Sequence, residues 1–283
     1  MAASSMQSTK RRIKSVSSTM KITKAMELTA VSKLQKTKGR FEANREYNDT
    51  FKYCISNALA GIEEDETSKV VSDAKMYLVV SSNMGLCGGY NTNIINMISS
   101  TVDKEKDYIV VCGTKAQRYL SSRGYKNVIE YPLTSTYTFE DAQKIASLLV
   151  QPYLDKKVCA VKTIYTKYIN SLTFAPAVEQ LLPLEKTSVE GSSDKVMNDY
   201  MVIFEPSKKE LLEQLLPLYF KNTIYNTLLE ASVSEYASRR TAMENATDNA
   251  EELTEHLKLE YNKARQGAIT QEITEVVAGA NAL

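Results

Sequence analysis

The sequence has one histidine, His256, and none of its four cysteines is paired as CxxC. Cys54, Cys87, Cys112 and Cys159 stand too far apart for a zinc site or a dense disulfide framework, and reduced thiols in a cytosolic compartment are the expectation. His256 lies in a helical stretch among acids. No second histidine, cysteine cluster or nucleophile elbow accompanies it, so it reads as a solvated surface residue. Gly and Pro are scarce, 10 and 6, which argues against disorder and against a turn-rich all-β fold. No apolar run is long enough for a transmembrane helix. The first ten residues contain no apolar signal core, and the basic stretch after them runs straight into a long helix, unlike a transit peptide. The formal net charge of +1 supplies no global field toward nucleic acid or an anionic membrane. The Gly-rich run MGLCGGY at 84–90 fits neither GxGxxG nor GxxxxGK[ST], so it reads as a tight strand-to-helix turn and not a phosphate cradle. No catalytic, cofactor-binding or metal-binding residue is expected. At a membrane the chain would be a peripheral part.

What is present is enough for a core: 43% of the 283 residues are hydrophobic and 24% are charged. The pattern divides into three segments, 1–63, 74–205 and 207–283. In the first, nothing obvious stops a helix from residue 6 to 62, roughly 80 Å at 1.5 Å per residue. Ile13, Val16, Met20, Thr23, Ala30 and Leu34 form a stripe at alternating spacings of three and four, interrupted by Glu27. Ile22, Ala25, Met26 and Val31 add apolar residues on other faces, so this helix can touch more than one partner. In the middle segment, residues 76–81, 108–112, 158–165 and 200–204 read as buried strands, with 172–179 a further edge strand. Helical patterns at 92–104, 115–122 and 139–154 lie between the early ones, and Thr138 with Asp141 has capping-box spacing. Strands alternating with helices predict a Rossmann-like α/β domain with a parallel sheet. In the last segment Ser207 and Glu210 repeat the capping-box spacing, and Pro217 is predicted to break or kink the helix it begins. From 218 to about 279 another helix of roughly 90 Å is expected. Helices this long need partners along their length, and the economical pairing is an antiparallel coiled coil of the two ends.

Lys10, Arg11, Arg12, Lys14, Lys21, Lys24, Lys33, Lys36, Lys38 and Arg40 face a single acid, Glu27, in the first forty residues. Glu244, Asp248, Glu251, Glu252, Glu255 and Glu260 make the C-terminal helix locally acidic. The blocks would attract across the seam, although exposed pairs contribute only ~0–1 kcal/mol each; a merely solvated basic face is the alternative. The C-terminal tip combines an apolar stripe, Ile269, Ile273, Val276 and Ala280, with polar Arg265, Gln266, Thr270 and Glu272 largely off it. Its many small residues suit a close-fitting sleeve, and an ordinary frayed coiled-coil end is the alternative.

KRRIKSV (10–16) and TMKITKAMEL (19–28) strongly resemble the gamma-subunit family of F-type ATP synthase, in the bacterial style. ITQEITEVVAGA (269–280) is similar to that family's signature, and TAMENATDNA (241–250), GLCG (85–88) and VEQLLPL (178–184) match in order. The resemblance implies a non-catalytic rotor inside a ring of alpha and beta subunits, with its α/β domain bound to epsilon and the c-ring. It couples transmembrane ion flow to ATP synthesis or hydrolysis at sites the partners own. The resemblance assigns beta-subunit contacts to Arg265, Gln266, Thr270, Glu272, Met26, Lys21, Lys24 and Arg239, and a foot contact to Glu205. It implies peripheral attachment at the cytoplasmic face of a bacterial plasma membrane rather than the mitochondrial inner membrane, and no nucleic-acid partner. The family's turn commonly has an acid and a base where this chain has Asn83 and Met84. Arg240 stands where an apolar residue is common, Glu244 where Lys is common, and Gly267 where Ala is common. Two other classes remain from the residues alone: a basic coiled-coil nucleic-acid-binding or scaffold protein, and a Rossmann-like enzyme with helical arms.

Overall fold

Proline is absent before Pro132, and the chain begins as one uninterrupted helix, α1 (Ala2–Leu59). In the computed structural model, which describes residues 2–59, 72–132, 136–170, 173–184 and 207–281, there follow β1 (Lys75–Val80), α2 (Tyr90–Thr101), β2 (Tyr108–Cys112), α3 (Thr114–Arg123), β3 (Asn127–Tyr131), α4 (Phe139–Leu154), β4 (Ala160–Tyr168), β5 (Phe174–Leu182) and α5 (Lys208–Asn281). These elements form two compact units, Ser32–Ser238 and the pair Met1–Val31 with Arg239–Leu283. The strand predicted at 200–204, and Glu205, lie outside the described residues.

The larger unit is built on a five-stranded sheet in the order β3-β2-β1-β4-β5. β1 to β4 are mutually parallel and β5 runs antiparallel to β4. Alternate residues of each strand point to opposite faces. Met76, Leu78 and Val80 therefore join Val110, Val161 and Tyr165 on one face, packed with α4 and with Leu228 and Ala231 of α5. Tyr77 and Val79 join Ile109, Val111 and Ile164 on the other, under Ile94 and Ile98 of α2 and Leu120 of α3. The predicted capping box is formed. Thr138 Oγ1 accepts from the Asp141 N–H at 3.2 Å, and Asp141 Oδ2 accepts from the Thr138 N–H at 2.9 Å.

Three expectations need correction. β3 was not predicted, because its five residues are at most half-buried and an edge strand carries little apolar alternation. The fifth strand turns back as a hairpin, with the Ile169 and Asn170 N–H groups donating to the Thr173 carbonyl at 3.2 and 3.0 Å. Pro176 is tolerated in it because an edge strand needs only one row of ladder bonds. Pro217 does not end its helix: α5 is continuous through it, since neighbouring Leu212, Tyr219 and Phe220 are held in the core and packing outweighs one lost backbone bond.

Within this unit α1 and α5 run antiparallel. Asn44 Nδ2 donates to Asn226 Oδ1 at 3.2 Å and Asn222 Nδ2 donates to Asn48 Oδ1 at 3.0 Å, so numbers rise on one helix as they fall on the other. Leu34 and Phe41 pack with Leu229, Val233 and Ala237. Paired amides in an apolar seam fix register, because any slip would bury them unpaired. α5 is also tied to the sheet and to the Gly-rich turn. Tyr90 Oη donates to the Ala231 carbonyl at 3.2 Å, and Ser238 Oγ donates to the Cys87 carbonyl at 2.7 Å. The turn itself is tight, with Gly88 at φ +54.

Candidate functional site

The second unit contains the first part of the basic stretch, Lys10 to Lys24, which forms a collar on α1, and the C-terminal tip. Of the unit's buried or half-buried α1 positions, Ile13, Val16, Met20, Thr23, Glu27 and Ala30 follow the stripe read from the sequence, Met6 and Thr9 continue it, and Ser17, Met26 and Val31 flank it. On α5 the corresponding set is Met243, Thr247, Ala250, Thr254, Leu257, Tyr261, Ala264 and Ala268. Spacings alternate strictly between three and four on both helices, a period of 3.5 and the signature of a left-handed two-helix seam. Glu27 does not break the stripe. It lies in the seam with its side chain 13% exposed, and Lys24 Nζ binds both its oxygens at 3.0 Å.

Thr23 Oγ1 and Thr247 Oγ1 meet across the seam at 2.9 Å, and each hydroxyl also has a carbonyl of its own helix in reach, Met20 at 3.0 Å and Met243 at 2.8 Å. Replacing both by the isosteric valine removes donor and acceptor together, so Thr23→Val with Thr247→Val should leave the thermal unfolding midpoint unchanged or raised. Thr23→Val alone should lower stability by about 1 kcal/mol. Calorimetry of the three variants checks the pair.

The charge blocks attract across the seam as expected, with Glu244 and Asp248 of α5 acting on Lys24, while the close pairs lie elsewhere. Among the described residues of this unit, the ion pairs Lys24–Glu27 and Arg240–Glu244 at 3.9 Å each join residues of one helix, and His256 Nδ1 stands 3.6 Å from Glu260 Oε1 on the same helix. The Lys24 pKa is raised chiefly by its hydrogen bond to Glu27, with Glu244 and Asp248 adding to it from α5. Long basic side chains on the outer face reach solvent more easily than they reach across a narrow seam of Ala and Thr. Arg240 and Glu244 pair with each other.

Of the sequence-predicted contacts, Lys21 and Lys24 are exposed, and Met26 and Arg239 are half-buried. Arg265, Gln266, Thr270 and Glu272 are all exposed. About 40 Å of α5 separates Arg239 from Arg265 at 1.5 Å per residue, so collar and tip are two separate surfaces. At the tip the seam ends with Ala268. Beyond it Ile269, Ile273 and Val276 are 48, 59 and 72% exposed. Thr270 Oγ1 donates to the Gln266 carbonyl at 2.9 Å, and Gln271 pairs with Glu275 at 2.9 Å. Ile22 and Leu28, 61 and 60% exposed, lie away from the seam and make the outer face of α1 apolar beside Lys21 and Lys24. Leu28 was not singled out from the sequence, although its position off the three-four stripe was the available signal.

No group of acidic, histidine or cysteine side chains suited to a metal occurs among the described residues, and no described helix is long and apolar enough to cross a membrane. The arrangement offers contact surfaces and no assembled acid, base or nucleophile.

A family model described as ATP synthase matches residues 5–283. The chain is 38% identical to the ATP synthase gamma chain of Alkaliphilus metalliredigens, covering 98% of both, and 38% identical to that of Clostridium kluyveri over the full length of both. In fold it is similar to a chain of the Euglena gracilis mitochondrial ATP synthase, in an OSCP/F1/c-ring assembly, with a TM-score of 0.71 and 20% identity over 99% of this chain and 95% of that one. A chain of the Tetrahymena thermophila mitochondrial ATP synthase central stalk and c-ring has a TM-score of 0.59 and 24% identity over 80% and 99%. With its paired terminal helices and central sheet, and with relatives this similar along their whole length, the chain belongs to the ATP synthase gamma-chain family.

Proposed function

We propose that the chain is the central rotor shaft of the F1 sector of an F-type ATP synthase, turning inside a ring of alpha and beta subunits and coupling ion flow to ATP synthesis or hydrolysis there. The observation that carries this reading is the end of α5, which outruns its seam and presents an uncovered apolar stripe flanked by Arg265, Gln266, Thr270 and Glu272. Water is a poor partner for such a stripe, and an enclosing apolar sleeve is a good one. The chain itself is non-catalytic in this reading. It acts by contacting the open and closed states of each catalytic site unequally, which is the only way a shaft can bias them.

Lys21, Lys24, Met26 and Arg239 form the collar contact with an acidic beta-subunit lever. Glu205, with the rest of the foot, meets epsilon and the c-ring. Segments 1–63 and 207–283 serve as the shaft and 74–205 as the foot domain. The complex holds the chain peripherally at the cytoplasmic face of a bacterial plasma membrane.

In the assembled enzyme, Arg265→Ala with Gln266→Ala should lower ATP synthesis on the order of tenfold, the effect of losing one well-placed Arg anchor. Synthesis by the double variant at the wild-type rate would remove the assigned role. Salt-dependent DNA binding by the whole chain, with no co-purifying nucleotide-hydrolysing ring, would instead favour a nucleic-acid-binding role for the basic collar.

A further inference from the structure

Lys33, Lys36 and Arg40 are spaced i, i+3 and i+7 on α1 and so share one helix face. They line a cavity of about 150 Å³ in the larger unit, together with Thr37, Thr136 and Tyr137. Residues flanking a two-helix seam ordinarily meet opposite charge on the partner helix. Here α5 contributes Leu229, Ser232 and Tyr236, an aliphatic side chain, a hydroxyl and a ring. No lining residue among those described is acidic, although Glu235 of α5 acts on the lining Tyr137, so three positive charges face the cavity itself.

The cations are placed rather than merely crowded. Arg40 is half-buried, and its Nη2 donates to Tyr225 Oη at 3.0 Å and to the Tyr137 carbonyl at 3.5 Å. That holds the guanidinium plane while its other N–H groups remain as donors. Lys33 Nζ stands 5.7 Å from the centre of the Tyr236 ring, an attraction that keeps the ammonium at the cavity edge. Like charges gathered around one cavity repel, and an anion among them reverses the sign of that energy. The cavity far exceeds the ~10–15 Å³ that one water needs. It is well below the ~300 Å³ at which pockets for drug-sized molecules begin. That size admits a tetrahedral oxyanion and excludes a nucleotide. A planar guanidinium fork matches two oxygens of such an ion, and lysines serve it as point charges.

We propose that this cavity binds a small tetrahedral oxyanion of the phosphate class, held by Arg40 with Lys33 and Lys36. The site does not depend on the rotor reading, and a failure of either leaves the other standing. The test titrates inorganic phosphate into the full-length chain at constant ionic strength, with chloride as the balancing anion, and follows it by calorimetry and phosphorus NMR line width. Saturable binding is expected, weakened at least tenfold in Lys33→Gln with Lys36→Gln. Both lysines are exposed, so that variant should retain the wild-type circular dichroism. No binding beyond the chloride control, or equal binding by the double variant, overturns the proposal. So does ADP or a glutamate-rich peptide binding where phosphate does not, since either would make the cavity part of a larger recognition surface.

Discussion

Gly113→Ala should cost about 3–5 kcal/mol of stability, among the largest effects of any single methyl group in this chain. Gly113 follows β2 at φ +105, a conformation L residues avoid. A Cβ built there would stand 2.2 Å from the Ser81 carbonyl oxygen and 2.5 Å from Ser81 Oγ. The obstacle is backbone at the end of β1, and it cannot swing aside. Ser81 N–H donates to the Cys112 carbonyl at 2.8 Å, and Ser81 Oγ accepts from the Ala116 N–H at 3.1 Å. Relief of the clash must therefore part β1 from β2 or break the start of α3. Urea unfolding of the larger unit measures the loss, and a change below about 1 kcal/mol would contradict so close an approach of the strand ends.

The second large effect is expected at Glu230, a carboxylate buried between α5 and β4. Its Oε1 accepts from the Tyr168 N–H at 3.0 Å and its Oε2 from Tyr165 Oη at 3.3 Å. Glu230→Ala removes both bonds and opens a hole, and should cost about 2–4 kcal/mol. Burial is the chief reason that the Glu230 pKa is raised above its ordinary 4.5, with Glu179 adding to it. The Tyr168 N–H, Lys167 and Tyr165 pull the other way. The folded state therefore holds this proton more tightly than the unfolded chain does. Its contribution to stability is greatest below 4.5 and is lost as pH rises through the raised value. Glu230→Gln keeps an acceptor for Tyr168 and cannot ionise. Relative to wild type, that variant should gain stability between acidic and neutral pH. Unfolding curves at the two ends of that range measure it, and an unchanged difference would mean that Glu230 titrates as it does in water.

Tip and collar differ in what confers their exposure. At the tip the cause is length: α5 continues past Ala268 with bulky apolar groups and no seam partner among the described residues. At the collar it is sequence placed off the seam, Ile22 and Leu28 beside Lys21 and Lys24. Both are surfaces that a second protein can cover, and neither assembles a reactive group.

The sequence by itself determined whatever depends on neighbours three or four residues apart. The unbroken run of α1 follows from missing proline, and the seam positions from Ile13 to Ala30 follow from spacing alone. The Thr138–Asp141 cap, the first buried strands and the lack of a phosphate loop were legible for the same reason, since each is a local pattern. Tertiary structure decided what depends on residues far apart. β3 exists because β2 offers it an edge, Pro217 stays helical because its neighbours are packed, and β5 reverses because it folds back on β4. Glu27 looked like a break in the stripe and is instead held in the seam by Lys24. The opposite charges of the two ends were legible as blocks that attract across the seam, and the close pairs Lys24–Glu27 and Arg240–Glu244 that folding adds lie within single helices, because exposed pairs are too weak to set where helices lie. The cavity under Arg40 needed α1, α5 and Tyr137 in one place. No window of sequence contains all three, and charge converging from distant segments becomes a site only after the chain has folded.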